Sequence, residues 1–234
     1  MEGYIMFRKA SIYLVSIFIF LISSQSYAQT WNLANEMWIN PQTNPNKTWY
    51  FMKHLLDDKV PDHYILLDKY SNRCLYDDVR DGKNNTLINA ICHRNAFSIY
   101  GITALVVSNP TSQPPTPPNS QINAPAKSVI LHPGLDQDTG KLFGNVIRWT
   151  SPITGKIIVS GFINKLTVGY TFKWFLRKNS STIASGEYNW TNGVMDFNKT
   201  VSVSRFDNIY FVWDPVTTIN EGGASVDMTI TKSP

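Results

Sequence analysis

Residues 130–161 read Ile130-Leu131-His132-Pro133-Gly134, a short polar turn, and then Asn145-Val146-Ile147-Arg148-Trp149-Thr150-Ser151-Pro152-Ile153-Thr154-Gly155-Lys156-Ile157-Ile158-Val159-Ser160-Gly161. Val146 to Thr150 is β-branched and aromatic, which suits a pleated surface. Ser151 to Gly155 reads as a turn, because Pro152 pre-sets φ and Gly155 tolerates φ > 0. Lys156 to Ser160 resumes the extended pattern. Proline cannot donate to a ladder, so Pro152 belongs outside the central pairing. The stretch predicts a β-hairpin closed at 151–155.

The chain after it keeps the same grammar of short strand and polar turn. In Thr171 to Arg177, Phe172, Trp174 and Leu176 alternate with Lys173, Phe175 and Arg177, which predicts a half-buried strand with a basic outer face. Lys178 to Ser181 is a turn. Thr182 to Trp190 is a strand with Gly186 at a bulge, and Asn192-Gly193 is a turn signal. Phe197–Val203, Asp207–Trp213 and Ala224–Thr231 follow as strands. Upstream, Leu33, Ala34, Met37 and Trp38 fall at helical spacing. Thr48–Met52, His63–Leu67, Thr86–Ile91, Ala96–Tyr100 and Ile102–Val107 are strand candidates. Strands at this spacing, with no long amphipathic helix between them, predict an all-β fold: an antiparallel two-sheet β-sandwich of the jelly-roll kind.

Two stretches resemble a known family. His132-Pro133-Gly134, then Val146-Ile147-Arg148-Trp149-Thr150 with Pro152 and Gly155, then Val159-Ser160-Gly161, is similar to secreted bacterial jelly-roll β-sandwich domains. Asn44-Pro45-Asn46-Lys47-Thr48-Trp49-Tyr50 is similar to their opening motif, with Lys47 where glycine is usual and Phe51 after the tyrosine. The resemblance spans Asn44 to the C-terminus as scattered motifs. These domains look like carbohydrate-binding modules, and most have no established function. The resemblance implies a sandwich fold and an export route, and it brings no catalytic motif.

Residues 1–28 read as a signal peptide: Arg8 and Lys9 precede the apolar run Ile12–Ile22, and Ser26-Tyr27-Ala28 ends in the small-x-small pattern of a cleavage site. The mature chain, 29–234, has no later apolar run long enough to span a bilayer. The expected address is periplasm, cell surface or medium. Ser108 to Ala126 holds six prolines. Within the resemblance, 108–126 is a loop inside one sandwich domain. The alternative is a linker between a small N-terminal domain, 29–107, and a sandwich, 127–234. Cys74 and Cys92 are expected to pair in an oxidising compartment, with a gain of about 3 kcal/mol. The net charge is +4, but the basic residues are scattered, without the stripe that a nucleic-acid-binding face requires.

The aromatic content is high for so few charges, 13% against 16%. Sugar rings stack their C–H faces on flat aromatic rings while amides, carboxylates and guanidinium groups take the hydroxyls. Trp149, Trp174 and Trp213 sit in alternating strands and read as core. Trp190 and Tyr188, beside the Asn192-Gly193 turn, are the candidate platform, with Asn192 and Arg177 as polar contacts. Asp136 and Asp138 ahead of Gly140 offer alternating oxygen ligands for calcium, although the other ligands of an EF-hand are missing. No zinc-spaced histidines, nucleophile elbow or phosphate loop occurs. Glu187 with Asp196 or Asp214 are nominal carboxylates for glycoside hydrolysis. The leading reading is an exported non-catalytic binding module for glycans. The alternatives are a structural or adhesive surface protein that docks to another protein and, further back, a glycoside-active enzyme.

Overall fold

The computed structural model describes residues 28–39, 44–56, 60–67, 69–71, 90–92, 102–107, 128–136, 139–165, 171–189, 193–216 and 223–233. In chain order these form β1 (Thr30–Asn32), α1 (Leu33–Ile39), β2 (Trp49–Leu55), β3 (Ile65–Leu66), β4 (Lys69–Ser71), β5 (Ala90–Cys92), β6 (Ile102–Val107), β7 (Ser128–Leu131) and β8 (Gly134–Asp136). The longer strands follow: β9 (Lys141–Thr150), β10 (Gly155–Lys165), β11 (Phe172–Lys178), β12 (Ser181–Tyr188), β13 (Met195–Val203), β14 (Asn208–Pro215) and β15 (Ala224–Lys232). All pairings are antiparallel. The first sheet runs β13-β10-β15-β7-β6-β5-β4, with β1 also on β15. The second runs β12-β11-β14-β9-β2-β3, with β8 also on β9. The fold is an all-β two-sheet antiparallel sandwich.

The predicted hairpin at 151–155 is not a hairpin. β9 lies in the second sheet between β14 and β2, and β10 lies in the first between β13 and β15. Residues 151–154 carry the chain across the sandwich. The hydrogen bonds show why. Ser151 N–H donates to the Asp207 carbonyl and Phe206 N–H donates to the Ser151 carbonyl, both at 2.8 Å. The end of β9 is therefore joined to the β13–β14 corner, which crosses between the same two sheets. Ser151 Oγ donates to the Ile153 carbonyl at 2.7 Å and folds the crossing tightly. Gly155, at φ 145°, takes the backbone conformation that starts β10. The His132-Pro133 step is a second crossing, from β7 in the first sheet to β8 in the second. A true two-residue hairpin joins β11 to β12, with Asn179 at φ 50° in its turn.

The interior follows from side-chain alternation. Phe172, Trp174 and Leu176 of β11 face inward, as predicted, with Phe211 and Trp213 of β14 beside them. Trp49, Trp149 and Trp213 are essentially without solvent contact. Phe172 stacks on Trp213 at 4.8 Å, and Trp31 meets Trp149 edge-on at 5.1 Å. The helix forms where its spacing predicted, and Leu33 and Met37 enter the same core. That core also takes Phe51 and Ile91 from upstream of the proline-rich stretch and Ile147 and Val226 from downstream of it. β6 and β7, on its two sides, are hydrogen-bonded neighbours. The Asn44-Pro45-Asn46 motif is structural. Asn44 Nδ2 donates to the carbonyls of Phe51 and Leu67 at 2.8 Å each, and buried Asn46 donates to the Glu36 carbonyl in the middle of α1.

His63–Leu67, predicted as a strand, is instead a 3₁₀ turn at Pro61–His63 followed by the two-residue β3. Residues 96–100, the signal segment through Tyr27 and the 108–126 stretch lie outside the described residues, as does Cys74 of the expected disulfide. No described helix is long and apolar enough to cross a membrane.

Candidate functional site

The outer face of the second sheet is set by the residues that alternate with the core. In β2, Tyr50 lies between the buried Trp49 and Phe51. In β9, Arg148 lies between Ile147 and Trp149, and in β14, Tyr210 lies between Ile209 and Phe211. Pairing then decides what they meet. Tyr50 is opposite Arg148, Arg148 is opposite Tyr210, and Tyr210 is opposite Arg177. The result is a row across four strands that alternates phenol and guanidinium. The Arg148 guanidinium lies 3.6 Å from the centre of the Tyr50 ring, a close cation–π stack. Arg148 also hydrogen-bonds the Tyr210 hydroxyl. Burial raises the pKa of Tyr210, opposed by Arg148 and assisted by Asp62, so the phenol stays protonated. A second, apolar row lies beside the first: Met52, Val146 and Val212, with Phe175 packed against them.

Residues 60–64 lie over this face, while β3 continues the sheet at its edge and Leu67 enters the interior core. Tyr64 is buried, meets Tyr210 edge-on at 5.4 Å, and its hydroxyl accepts from Arg177 Nη1 at 3.0 Å. Between this segment and the sheet is a depression of about 290 Å³, lined by Val60, Asp62, Asn179, Asn208 and Tyr210 among others. Its floor near the turns is rigid. Asn208 Oδ1 accepts from Thr150 Oγ1 at 2.8 Å, and Asn179 exchanges hydrogen bonds with Asn208 through backbone and side chain. Asp207 accepts from Ser204 N–H and Asn179 Nδ2 and lies 3.0 Å from Lys178 Nζ. Those donors, the Ser204 amide first, hold its carboxyl down at about 2. The Asn208 amide nitrogen has no protein partner among the described residues.

The sequence candidates distribute unevenly. Arg177 joins the row, though buried. Tyr188 is not a platform: its ring is 2% exposed, edge-on to Trp213 at 5.9 Å, and its hydroxyl donates to the Gly193 carbonyl at 2.9 Å. It pairs with Phe172 at the end of β12 and shares that residue's inward parity. Trp190 and Asn192 lie outside the described residues. So does Asp138, while Asp136 ends β8 opposite Lys141. Among the described residues no group of carboxylates, histidines or cysteines is arranged to hold a metal. The nominal acid pairs do not meet. Asp214 is buried, with its Oδ1 4.0 Å from His54 Nε2, and Glu187 lies 3.9 Å from Lys173, whose strand separates the two carboxylates. Asp196 is in the other sheet, exposed. Sequence reasoning missed Tyr50, Arg148 and Tyr210. Their only local signal is a polar-tipped residue alternating with aromatic core, and the ladder itself exists only through register.

No protein-family model and no curated protein sequence matches the chain. Similar solved structures do exist. One is that of a CBM51 with GlcNAc and INT domains from Clostridium perfringens ZmpB, at 15% identity and TM-score 0.34 over 46% of this chain. The chain spans 22% of that protein. The K3 cleaved adhesin domain of Lys-gingipain from Porphyromonas gingivalis is 10% identical, at TM-score 0.35, over 52% of this chain and 85% of the other. A family 35 carbohydrate-binding module from Clostridium thermocellum is 16% identical, at TM-score 0.28, over 46% of this chain and 93% of the other. At these identities and scores the likeness goes no further than the sandwich layout.

Proposed function

We propose that the chain is an exported, non-catalytic glycan-binding module that takes its ligand on the outer face of the second sheet. The observation that carries this is the Tyr50–Arg148–Tyr210–Arg177 row beside a groove with Asp62 and Asn208 on its walls. The half-buried Tyr50 ring offers stacking surface for sugar C–H groups, Tyr210, 4% exposed, backs the row from beneath, and the amide, carboxylate and guanidinium groups satisfy hydroxyls. A groove on a rigid sheet holds such contacts without reorganisation, which lowers the entropic cost of binding. The test is retention on a panel of immobilised polysaccharides. The intact domain is retained on some of them, and a Tyr50→Ala/Asn208→Ala variant with an unchanged melting temperature elutes early. Equal, weak retention on every polysaccharide overturns the reading.

A second reading, docking to another protein, is favoured by the β3 edge of the second sheet, where Ile65 and Leu66 are 45% and 40% exposed. Short edge strands with apolar side chains invite strand addition. Loss of self-association or partner capture on Ile65→Lys would favour it over the glycan reading. Export is part of the proposal and follows from the 1–28 segment. N-terminal sequencing of the secreted product tests it, with Gln29 expected first.

A further inference from the structure

The cations on the outer face of the second sheet are not in the same state. Lys178, at the strand end beside that face, is neutralised by Asp207 at 3.0 Å, and Lys173 lies 3.9 Å from Glu187. Arg177 donates to the Tyr64 hydroxyl and is nearly buried. Arg148 differs. Its contacts are the face of Tyr50 and the hydroxyl of Tyr210, both neutral, and no described carboxylate lies within ion-pair distance of it. Its Nε is buried and without an acceptor. A half-buried guanidinium loses hydration that neutral contacts only partly recover, so an added oxyanion gains free energy there. Stacking on Tyr50 holds the group flat but adds no negative charge.

We propose that the ligand of this face is an acidic glycan, and that Arg148 is the contact for its carboxylate or sulfate group. The inference rests on the glycan reading above and names the substrate class for the same site. A planar guanidinium held flat against an aromatic ring is pre-oriented for two parallel N–H···O bonds to an oxyanion. The half-buried Tyr50 ring takes the sugar body, since Tyr210 and Tyr64 are buried. Asp62, exposed on the groove wall, sets the limit of this preference, since it repels an anion that enters from its side. The scattered basic residues elsewhere offer no extended track for a nucleic-acid backbone, so the recognition is local to one acidic group.

The experiment measures affinity of the whole mature chain, by affinity electrophoresis and calorimetry, for matched pairs. Polygalacturonate is compared with its methyl-esterified form, heparin with desulfated heparin, and a single-stranded DNA serves as a polyanion control. The expected result is at least tenfold tighter binding to one charged member of a pair than to its neutralised partner, with the pair identifying carboxylate or sulfate. Arg148→Gln removes that difference. Arg148→Lys keeps part of it and its salt dependence, because the charge remains while the fork is lost. Asp62→Asn tightens binding of the charged member severalfold. Lys156→Gln, at an exposed position of β10 in the other sheet, leaves the preference in place and controls for net charge. Equal affinity within each pair, or DNA bound as tightly as the charged glycan, overturns the acidic-ligand proposal. Binding to no polysaccharide at all overturns the glycan reading itself, and this inference with it.

Discussion

On β9, Ile147 and Trp149 face the interior while Val146 and Arg148, one residue away, face outward. The same holds for Trp49 against Tyr50 on β2 and for Phe211 against Tyr210 on β14. The inner face is a close-packed stack of large aromatics whose positions are dictated by filling volume. The outer face is a row of phenols and guanidinium groups in which Tyr210 and Arg177 are buried beneath residues 60–64 and Tyr50 and Arg148 are half-buried. The same strands thus present one surface constrained by packing and another that the proposed function assigns to recognition. A change on the inner face should appear in the unfolding free energy, and one on the outer face in binding.

Trp149→Ala sharpens that contrast most. It removes a fully buried indole facing Trp31 and should cost about 3–5 kcal/mol in urea unfolding. Gly144→Ala comes next, although it sits on the outer face. A Cβ there would collide with His54 Nε2 and meet the Trp213 carbonyl at 2.6 Å, and the backbone side cannot yield. The expected loss is about 1–3 kcal/mol. A smaller loss would place His54 among movable groups and weaken the division between the faces.

Acid acts through a crossing rather than a face. Burial holds His132 near a pKa of about 4, against an ordinary value of 6.5, with its Nδ1 2.8 Å from the Pro133 carbonyl. The unfolded chain binds the proton first on acidification. Stability from this group is therefore full above pH 6.5 and falls as pH drops from there to about 4, by up to about 3 kcal/mol. Urea midpoints measured at pH 7 and pH 4.5 should diverge in the parent and converge in His132→Gln. Convergence in the parent would remove the burial argument.

The outer row carries the smallest expected stability effects. Tyr50→Ala should shift unfolding by less than about 1 kcal/mol while abolishing retention on the polysaccharide bound by the parent. A cost several times larger would mean that the row is packing and not a site. Phe206, 69% exposed at φ 74° on the β13–β14 corner, is a bulky side chain in left-handed backbone. Phe206→Gly should stabilise by about 0.5–1 kcal/mol.

The alternation in 171–177 was legible because period two is a local property: Phe172, Trp174 and Leu176 face the core as their spacing requires. The helical spacing of Leu33 and Met37 was legible for the same reason. The 151–155 turn was misread because proline, glycine and flanking strands look alike whether the chain folds back within a sheet or crosses to the other one. Tyr188 was misread because its inward parity is inherited from Phe172, across a pairing whose Leu176/Arg177 irregularity no local count reveals. The candidate site was the least legible part, since Tyr50, Arg148 and Tyr210 are separated by long stretches of chain.

By itself, the order of residues determined that this is an all-β chain, where its long strands run and which side of each is apolar. These follow from φ/ψ preference and from the free energy of taking apolar surface out of water, and both act within a few residues. Only the tertiary structure decided which strands are neighbours, that Ser151 bonds to the Asp207 corner, and that two tyrosines and two arginines fall in one row. Those outcomes depend on register between distant segments, which minimises the free energy of the packed sandwich as a whole and leaves no mark on any single stretch.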